Sequence, residues 1–351
     1  MNIIMITLLV GYIYLSLKVR TTHWTSICLI NTMLILILTK VNSLLYFYLI
    51  FELVNILAYS FVGFQSYNAR NYESSVIFFL IGFIGSLVFL IGLYLKYSVT
   101  IPMFDTYADS LIFLAMFLKI GSFPFSFWIF RVYTYLSNAS FLFITVVSKI
   151  NYLIIITVWV CKFLTSWEAA KFLTVSSVLT AVLCSCLLAN QTSVKGFLAG
   201  SSILTLPLWF LSLYSIFELS AISPQNSVYQ VTTYLLFFVN VYTITSTVGF
   251  IMWVCLSTDN RESKYLRNKT YFHSLYYSLF SYKDLYLMGT LWILGGFPPF
   301  LLFIFKFYIL QYSVFVGLIK PTFLVLLCLS AIGLYGYAKV IMSLLVKLKY
   351  S

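Results

Sequence analysis

From Val76 to Leu95 the chain reads Val-Ile-Phe-Phe-Leu-Ile-Gly-Phe-Ile-Gly-Ser-Leu-Val-Phe-Leu-Ile-Gly-Leu-Tyr-Leu without one charged residue, and apolar runs of similar length recur along the sequence. About 20 apolar residues are what a helix needs to cross the hydrocarbon core of a bilayer. Inside lipid every backbone N–H and C=O must find its partner within the protein, which leaves helices or a closed barrel. Runs this long and this apolar point to helices. The composition excludes the other classes: 62% hydrophobic and 9% charged residues, with a mean hydropathy of +1.00, cannot clothe a soluble domain of 351 residues. The expected fold is an all-α polytopic membrane protein with about 11 transmembrane helices.

The spans are expected at approximately 2–19, 26–40, 43–64, 74–95, 110–133, 140–163, 169–189, 197–217, 229–256, 285–313 and 321–345. The chain forms a single transmembrane domain over 1–351, with residues 257–282 as a solvated loop that gathers Asp259, Arg261, Glu262, Lys264, Arg267 and Lys269. The first apolar run lacks a basic leader and a small-residue cleavage site, so it is expected to be retained. Cys28, Cys161, Cys184, Cys186, Cys255 and Cys328 are scattered through apolar runs without a Cys-x-x-Cys pair, which reads as packing rather than a disulfide frame or metal site. His23 and His273 fall in polar connections and read as surface residues.

Basic residues divide unevenly between the two ends of the spans. Lys18, Arg20, Arg70, Arg131, Lys195, Arg261, Lys264, Arg267, Lys269, Lys283, Lys347 and Lys349 follow odd-numbered spans; Lys40, Lys96, Lys162, Lys171 and Lys320 follow even-numbered ones. Positive loops stay on the electrically negative side, which predicts the N-terminus outside and the C-terminus inside. The net charge of +12 is thus a topology signal and does not indicate nucleic-acid binding.

Four lysines remain, and they fall inside spans: Lys119, Lys149, Lys306 and Lys339. Of the nine acids only Glu52 clearly does so; the others, Asp109 among them, read as lying in connections or at span ends. An ionised group at membrane depth costs a few kcal/mol even on the lenient insertion scale (~2.5–3.5), so it normally faces a bundle interior, finds a partner and carries function. Glu52 has Asn55 one turn on, which places both on one face. Lys119 precedes a break at Gly121 and Pro124, because proline lacks an N–H and clashes with an earlier carbonyl. Lys149 lies near the middle of its span. Lys339 lies near a span end, where its ammonium can snorkel to the interface.

Gly295, Gly296, Pro298 and Pro299 repeat the break in a later span, with Lys306 about two turns beyond. Broken helices at comparable places in two parts of a chain are how inverted repeats of a transporter look. The repeats are expected at about 74–189 and 197–345. Proton or cation transport follows as the expected activity. Desolvation disfavours a charged lysine and a nearby carboxylate favours it, so separating Glu52 from Lys119 would release a proton towards Lys149 and onward to Lys306.

Four segments together resemble a known family: Glu52-Leu-Val-Asn-Ile-Leu-Ala-Tyr59, Leu118-Lys-Ile-Gly-Ser-Phe-Pro-Phe-Ser-Phe-Trp128, Asn190-Gln-Thr-Ser-Val-Lys-Gly-Phe-Leu-Ala-Gly-Ser-Ser202, and Gly295-Gly-Phe-Pro-Pro299 followed by Lys306. They are similar to the chain 2 family of the proton-pumping NADH:ubiquinone oxidoreductase, respiratory complex I. The resemblance implies an antiporter-like membrane-arm subunit of two inverted five-helix repeats. It implies that Glu52 is the acid of an ion pair, Lys119 its partner, Lys149 the central relay lysine and Lys306 the lysine of the second broken helix. It also implies no cofactor in this chain: FMN, iron–sulfur clusters and ubiquinone are bound by other subunits. Other complex I membrane-arm subunits, accessory subunits and lipids are the implied partners. The mitochondrial inner membrane is the implied location, with the N-terminus in the intermembrane space and the C-terminus in the matrix.

The sequence departs from that family's pattern in three ways. Ser126 stands where Pro-Phe-His-x-Trp has histidine, two spans rather than more precede the Glu52 helix, and the interval from Lys149 to Lys306 is long. Two other functions fit the same charges: a structural membrane-arm scaffold with a lapsed relay, and a sibling cation/proton antiporter subunit.

Overall fold

The computed structural model describes residues 22–64, 69–98, 102–137, 140–141, 143–164, 166–191 and 194–222, with short stretches between residues 288 and 342. All regular structure among these residues is helical. The helices are α1 (Thr22–Lys40), α2 (Leu44–Phe64), α3 (Ala69–Ser98), α4 (Pro102–Ile120), α5 (Phe127–Tyr135), α6 (Lys149–Lys162), α7 (Trp167–Ala189), α8 (Val194–Leu204) and α9 (Leu206–Ile222). A π-helical segment, Phe143–Ser148, leads directly into α6. Among the described residues, five stretches are long and apolar enough to cross a membrane: Leu44–Phe64, Ala69–Ser98, Phe143–Lys162, Ala170–Leu188 and Lys195–Ser215.

Small residues set the closest helix contacts. α3 runs along α4, with Gly85 and Gly92 one heptad apart on the shared face. A Cβ on Gly92 would come within 3.1 Å of the Ala108 carbonyl, so only glycine allows the two backbones this approach. The opposite face of α3 carries exposed Phe79, Phe83, Leu87, Leu90 and Ile91. In water such a stripe would be a liability; on a membrane helix it is the lipid face. Aromatic rings fill the interior. Phe47 and Phe89 pack on Trp159, and Phe117 packs between Phe172 and Phe210.

The expected spans at 26–40, 43–64, 74–95 and 169–189 correspond to α1, α2, α3 and α7. The span expected over 110–133, with its break at Gly121 and Pro124, is two helices separated between Ile120 and Phe127, and α4 begins eight residues earlier than expected. This moves Asp109 from a span end into the third turn of α4, where it is fully buried. The span expected over 197–217 is also divided, at Thr205, because Pro207 cannot donate to the carbonyl of the preceding turn. His23 lies in the first turn of α1 rather than in a connection. Cys184 packs inside, whereas Cys161 and Cys186 lie on the outer surface. The spans expected at 2–19 and 229–256, the loop 257–282, and most of 285–313 and 321–345 lie outside the described residues, as does most of the second expected repeat.

Candidate functional site: buried lysines at interrupted helices

The break after α4 is built residue by residue. Gly121 takes φ 75°, a left-handed conformation that suits glycine because it has no Cβ. This lets the N–H groups of Gly121 and Ser122 both turn back to the Phe117 carbonyl, at 2.8 and 3.0 Å. The chain then passes through Pro124 and restarts as α5. The carbonyl of Leu118, freed from its usual helical partner, accepts a hydrogen bond from the indole Nε1 of Trp128 at 3.1 Å. Trp128 is therefore the residue that seals the break from the far side. Ser126 is buried in the turn, and its carbonyl accepts the N–H of Ile129, the third residue of α5. A proton step that needs an imidazole at this position has no counterpart here.

Lys119 sits in the last turn of α4, where the carbonyl end of the helix dipole favours a cation. Its ammonium donates to Glu52 Oε1 on α2 at 3.0 Å and lies 4.1 Å from the centre of the Phe51 ring. The lysine side chain is 1% exposed, and that of Glu52 is 21% exposed. The pair thus has one dry member and one that still meets the surroundings of this chain. Gly85 on α3 leaves the slot through which the lysine stem passes.

Asn55, one turn beyond Glu52, is wholly buried and donates from Nδ2 to the same Glu52 Oε1 at 3.4 Å. Its Oδ1 accepts the hydroxyl of Tyr152 on α6 at 3.0 Å. Tyr59, Gly82, Trp128 and Tyr152 line a narrow crevice beside Lys119, and the buried Tyr59 hydroxyl that points towards Gly82 makes no hydrogen bond among the described residues.

Lys149 opens α6 immediately after the π-helical segment, an irregularity that tends to occur at functional positions in helices. It is buried and does not join the Glu52–Lys119 pair. Its ammonium donates to Ser202 Oγ on α8, and Ser202 in turn donates to the Ala199 carbonyl at 2.6 Å. Lys306 donates to the Gly295 carbonyl at 2.8 Å. Gly296, Pro298 and Pro299 lie outside the described residues. Lys339 is exposed.

Sequence reasoning missed three contributors. Tyr152 reads as one aromatic among many, although its position three residues after Lys149 places it on the same face of α6. Ser202 closes the Asn190–Ser202 segment without a sign of its partner. The third is a second buried pair, in which Lys96 binds Asp109 Oδ1 at 2.5 Å and the Phe163 carbonyl at 2.9 Å, while Asp109 Oδ2 accepts from Ser166 at 2.8 Å. Among the described residues, no group of three or more His, Cys, Asp or Glu side chains converges as a metal site.

This pattern of an interrupted helix, a buried lysine before the break, its acid on another helix and a second lysine thirty residues on spans most of the described structure. The NADH:quinone oxidoreductase/Mrp antiporter transmembrane family matches residues 41–333. The chain belongs to that family. Among its relatives, the NADH-quinone oxidoreductase subunit N of Azoarcus sp. (strain BH72) is 26% identical over 367 aligned positions, covering 96% of this chain and 71% of the relative. The NADH-ubiquinone oxidoreductase chain 2 of Debaryomyces hansenii is 25% identical over 144 positions, 38% of this chain and 32% of the relative's length. The match to this second relative therefore spans about a third of it. A chain of respiratory complex I from Thermus thermophilus has the same fold, with a TM-score of 0.76 at 18% identity, covering 97% of this chain and 75% of that one. The antiporter family supplies the fold on which the lysines stand; their roles rest on the geometry given above.

Proposed function

We propose that this chain is the chain 2 or subunit N type of membrane-arm subunit in a proton-pumping NADH:quinone oxidoreductase, and that Glu52, Lys119, Lys149 and Lys306 relay protons. The observation that carries the reading is the buried Lys119–Glu52 pair at the helix break, with Lys149 held separately in a second buried site on α6. A lone charge at that depth is costly, and the cost is offset only by a partner. Moving Glu52 away from Lys119 removes the partner while the low-dielectric surroundings remain, so Lys119 gives up its proton. Lys149 is held by a neutral hydroxyl rather than a carboxylate, which leaves it free to take up or release a proton without breaking an ion pair. No redox step takes place in this chain; FMN, iron–sulfur clusters and ubiquinone belong to other subunits, and the partners are the neighbouring membrane-arm and accessory subunits.

The two ends of the bundle support an orientation. Lys96 and Lys162 lie together at the end that carries few basic residues, and both are occupied internally: Lys96 by Asp109, and Lys162 by the Thr39 and Val41 carbonyls and Asn42 Oδ1. Arg70 and Arg131 stand exposed at the other end. The uneven count of basic residues between the two sides, twelve against five in the sequence, favours a matrix-facing C-terminus in a mitochondrial inner membrane. The two inverted repeats, about 74–189 and 197–345, belong to the same reading.

The family also includes Mrp antiporters, and sodium-dependent transport in vesicles would favour that second reading. The test of the first is proton pumping per NADH oxidised in vesicles holding the assembled complex, wild type against Lys149→Met. Loss of pumping with assembly intact is expected. Full pumping would show a scaffold in which the relay has lapsed.

A further inference from the structure

A chain of polar contacts runs from Lys119 to Tyr152, on the helix that also carries Lys149. Tyr152 Oη donates to Asn55 Oδ1 at 3.0 Å, and Asn55 Nδ2 donates to Glu52 Oε1 at 3.4 Å, the same oxygen that receives the Lys119 ammonium at 3.0 Å. We propose that Tyr152 and Asn55 are positioning residues that couple the Glu52–Lys119 pair to the Lys149 helix. The proposal rests on the relay reading above.

The geometry supports coupling in three ways. First, Asn55 and Lys119 share one carboxylate oxygen, so Asn55 is the donor that stays when Lys119 leaves. Second, the Glu52 carboxylate can only accept and so takes the Asn55 amide nitrogen, while the hydroxyl of Tyr152 holds the other end of the amide by donating to its oxygen. Third, Tyr152 is three residues from Lys149 and therefore on the same face of α6, so a movement of α6 that alters Lys149 also moves the hydroxyl that orients Asn55. All of this is dry. Asn55 is 0% and Tyr152 5% exposed, where a polar contact has no water to replace it. A mutant cycle measures the coupling between the two residues directly.

A purely structural bridge gives a different result from a coupling one. Tyr152→Phe removes one hydroxyl and leaves the Asn55 oxygen buried without a partner, which harms stability in either case. Asn55→Leu with Tyr152→Phe removes both polar partners and leaves an apolar contact, which restores stability but not the orienting contact. The experiment compares wild type, Lys149→Met, the two single variants and the double variant in the assembled complex. It measures assembled complex in the membrane, NADH oxidation with a protonophore present, and protons pumped per NADH, all per assembled complex. Loss in Lys149→Met sets the scale.

We expect the double variant to assemble and oxidise NADH as wild type does, yet to lose at least half of what Lys149→Met loses in pumping. Its loss should be no greater than that of Asn55→Leu alone, because the two residues act in one path. Wild-type stoichiometry in the double variant overturns the proposal, as do losses in the single variants that simply add. Should the double variant not assemble, Tyr152→Phe decides: wild-type stoichiometry in that variant equally sinks the bridge. Wild-type pumping by Lys149→Met would instead refute the relay reading on which the bridge depends.

Discussion

Replacing Gly85 by alanine should uncouple the Glu52–Lys119 pair without touching either charge. A Cβ at Gly85 would lie 3.0 Å from both Cγ and Cε of Lys119 and 3.4 Å from the Ala115 carbonyl. The carbonyl belongs to the α4 backbone, so the flexible lysine stem is what yields. Glu52 Oε1 now stands 3.0 Å from the ammonium. At an effective dielectric of about 20, moving it to ~4 Å lowers the attraction from about 5.5 to about 4.1 kcal/mol. That difference of about 1.4 kcal/mol is roughly tenfold in how often the pair is made. Because the Glu52 side chain is 21% exposed, screening makes tenfold an upper bound. The assay is protons pumped per NADH in vesicles with the assembled complex, where Gly85→Ala should fall several-fold in the share carried by this chain. Gly92→Ala is the control, since its Cβ meets Ile112 and the Ala108 carbonyl on the same α3–α4 contact without reaching a lysine. Unchanged pumping in Gly85→Ala, or an equal loss in Gly92→Ala, would refute the argument.

Two further outcomes follow from the ion pairs. Asp109→Ala strands Lys96 in the interior and should destabilise the chain by about 3–5 kcal/mol, while Lys96→Met with Asp109→Leu should recover most of that; thermal unfolding of the purified complex reads both, and an unshifted midpoint in the single variant would contradict the burial of the pair. Glu73 and Arg131 form a pair at 2.8 Å, but their side chains are 56% and 66% exposed. Glu73→Gln should therefore change stability by less than about 1 kcal/mol and leave pumping unaltered, and a large effect on either would mean that another surface covers this pair.

How far the site could be read in the sequence depended on the kind of signal each residue carries. Lys119 and Glu52 stood out because a charge in an apolar run is rare whatever it touches. Gly121 and Pro124 stood out because their backbone preferences are local. Asp109 did not, because its burial depends on where α4 begins, and the polar residues around it look like a connection. Tyr152 and Ser202 gave no local sign, since a tyrosine or serine in a membrane helix satisfies the same pattern whether or not it receives a partner.

The sequence by itself determined that the chain crosses a membrane as helices, where the helix that carries Lys119 is interrupted, and that Glu52, Lys119 and Lys149 carry charge into the apolar region. These follow from hydropathy, proline and glycine geometry and the cost of burying charge, all of which act within one segment. Only the tertiary structure decided that Asn55 and Lys119 share one oxygen of Glu52, that Tyr152 reaches Asn55 from the helix of Lys149, that Lys149 rests on Ser202, and that Lys96 and Asp109 form a second pair. Each joins residues on different helices. Such contacts are set by helix rotation and by the close approaches that Gly85 and Gly92 allow, and neither quantity is written in the order of the residues along one span.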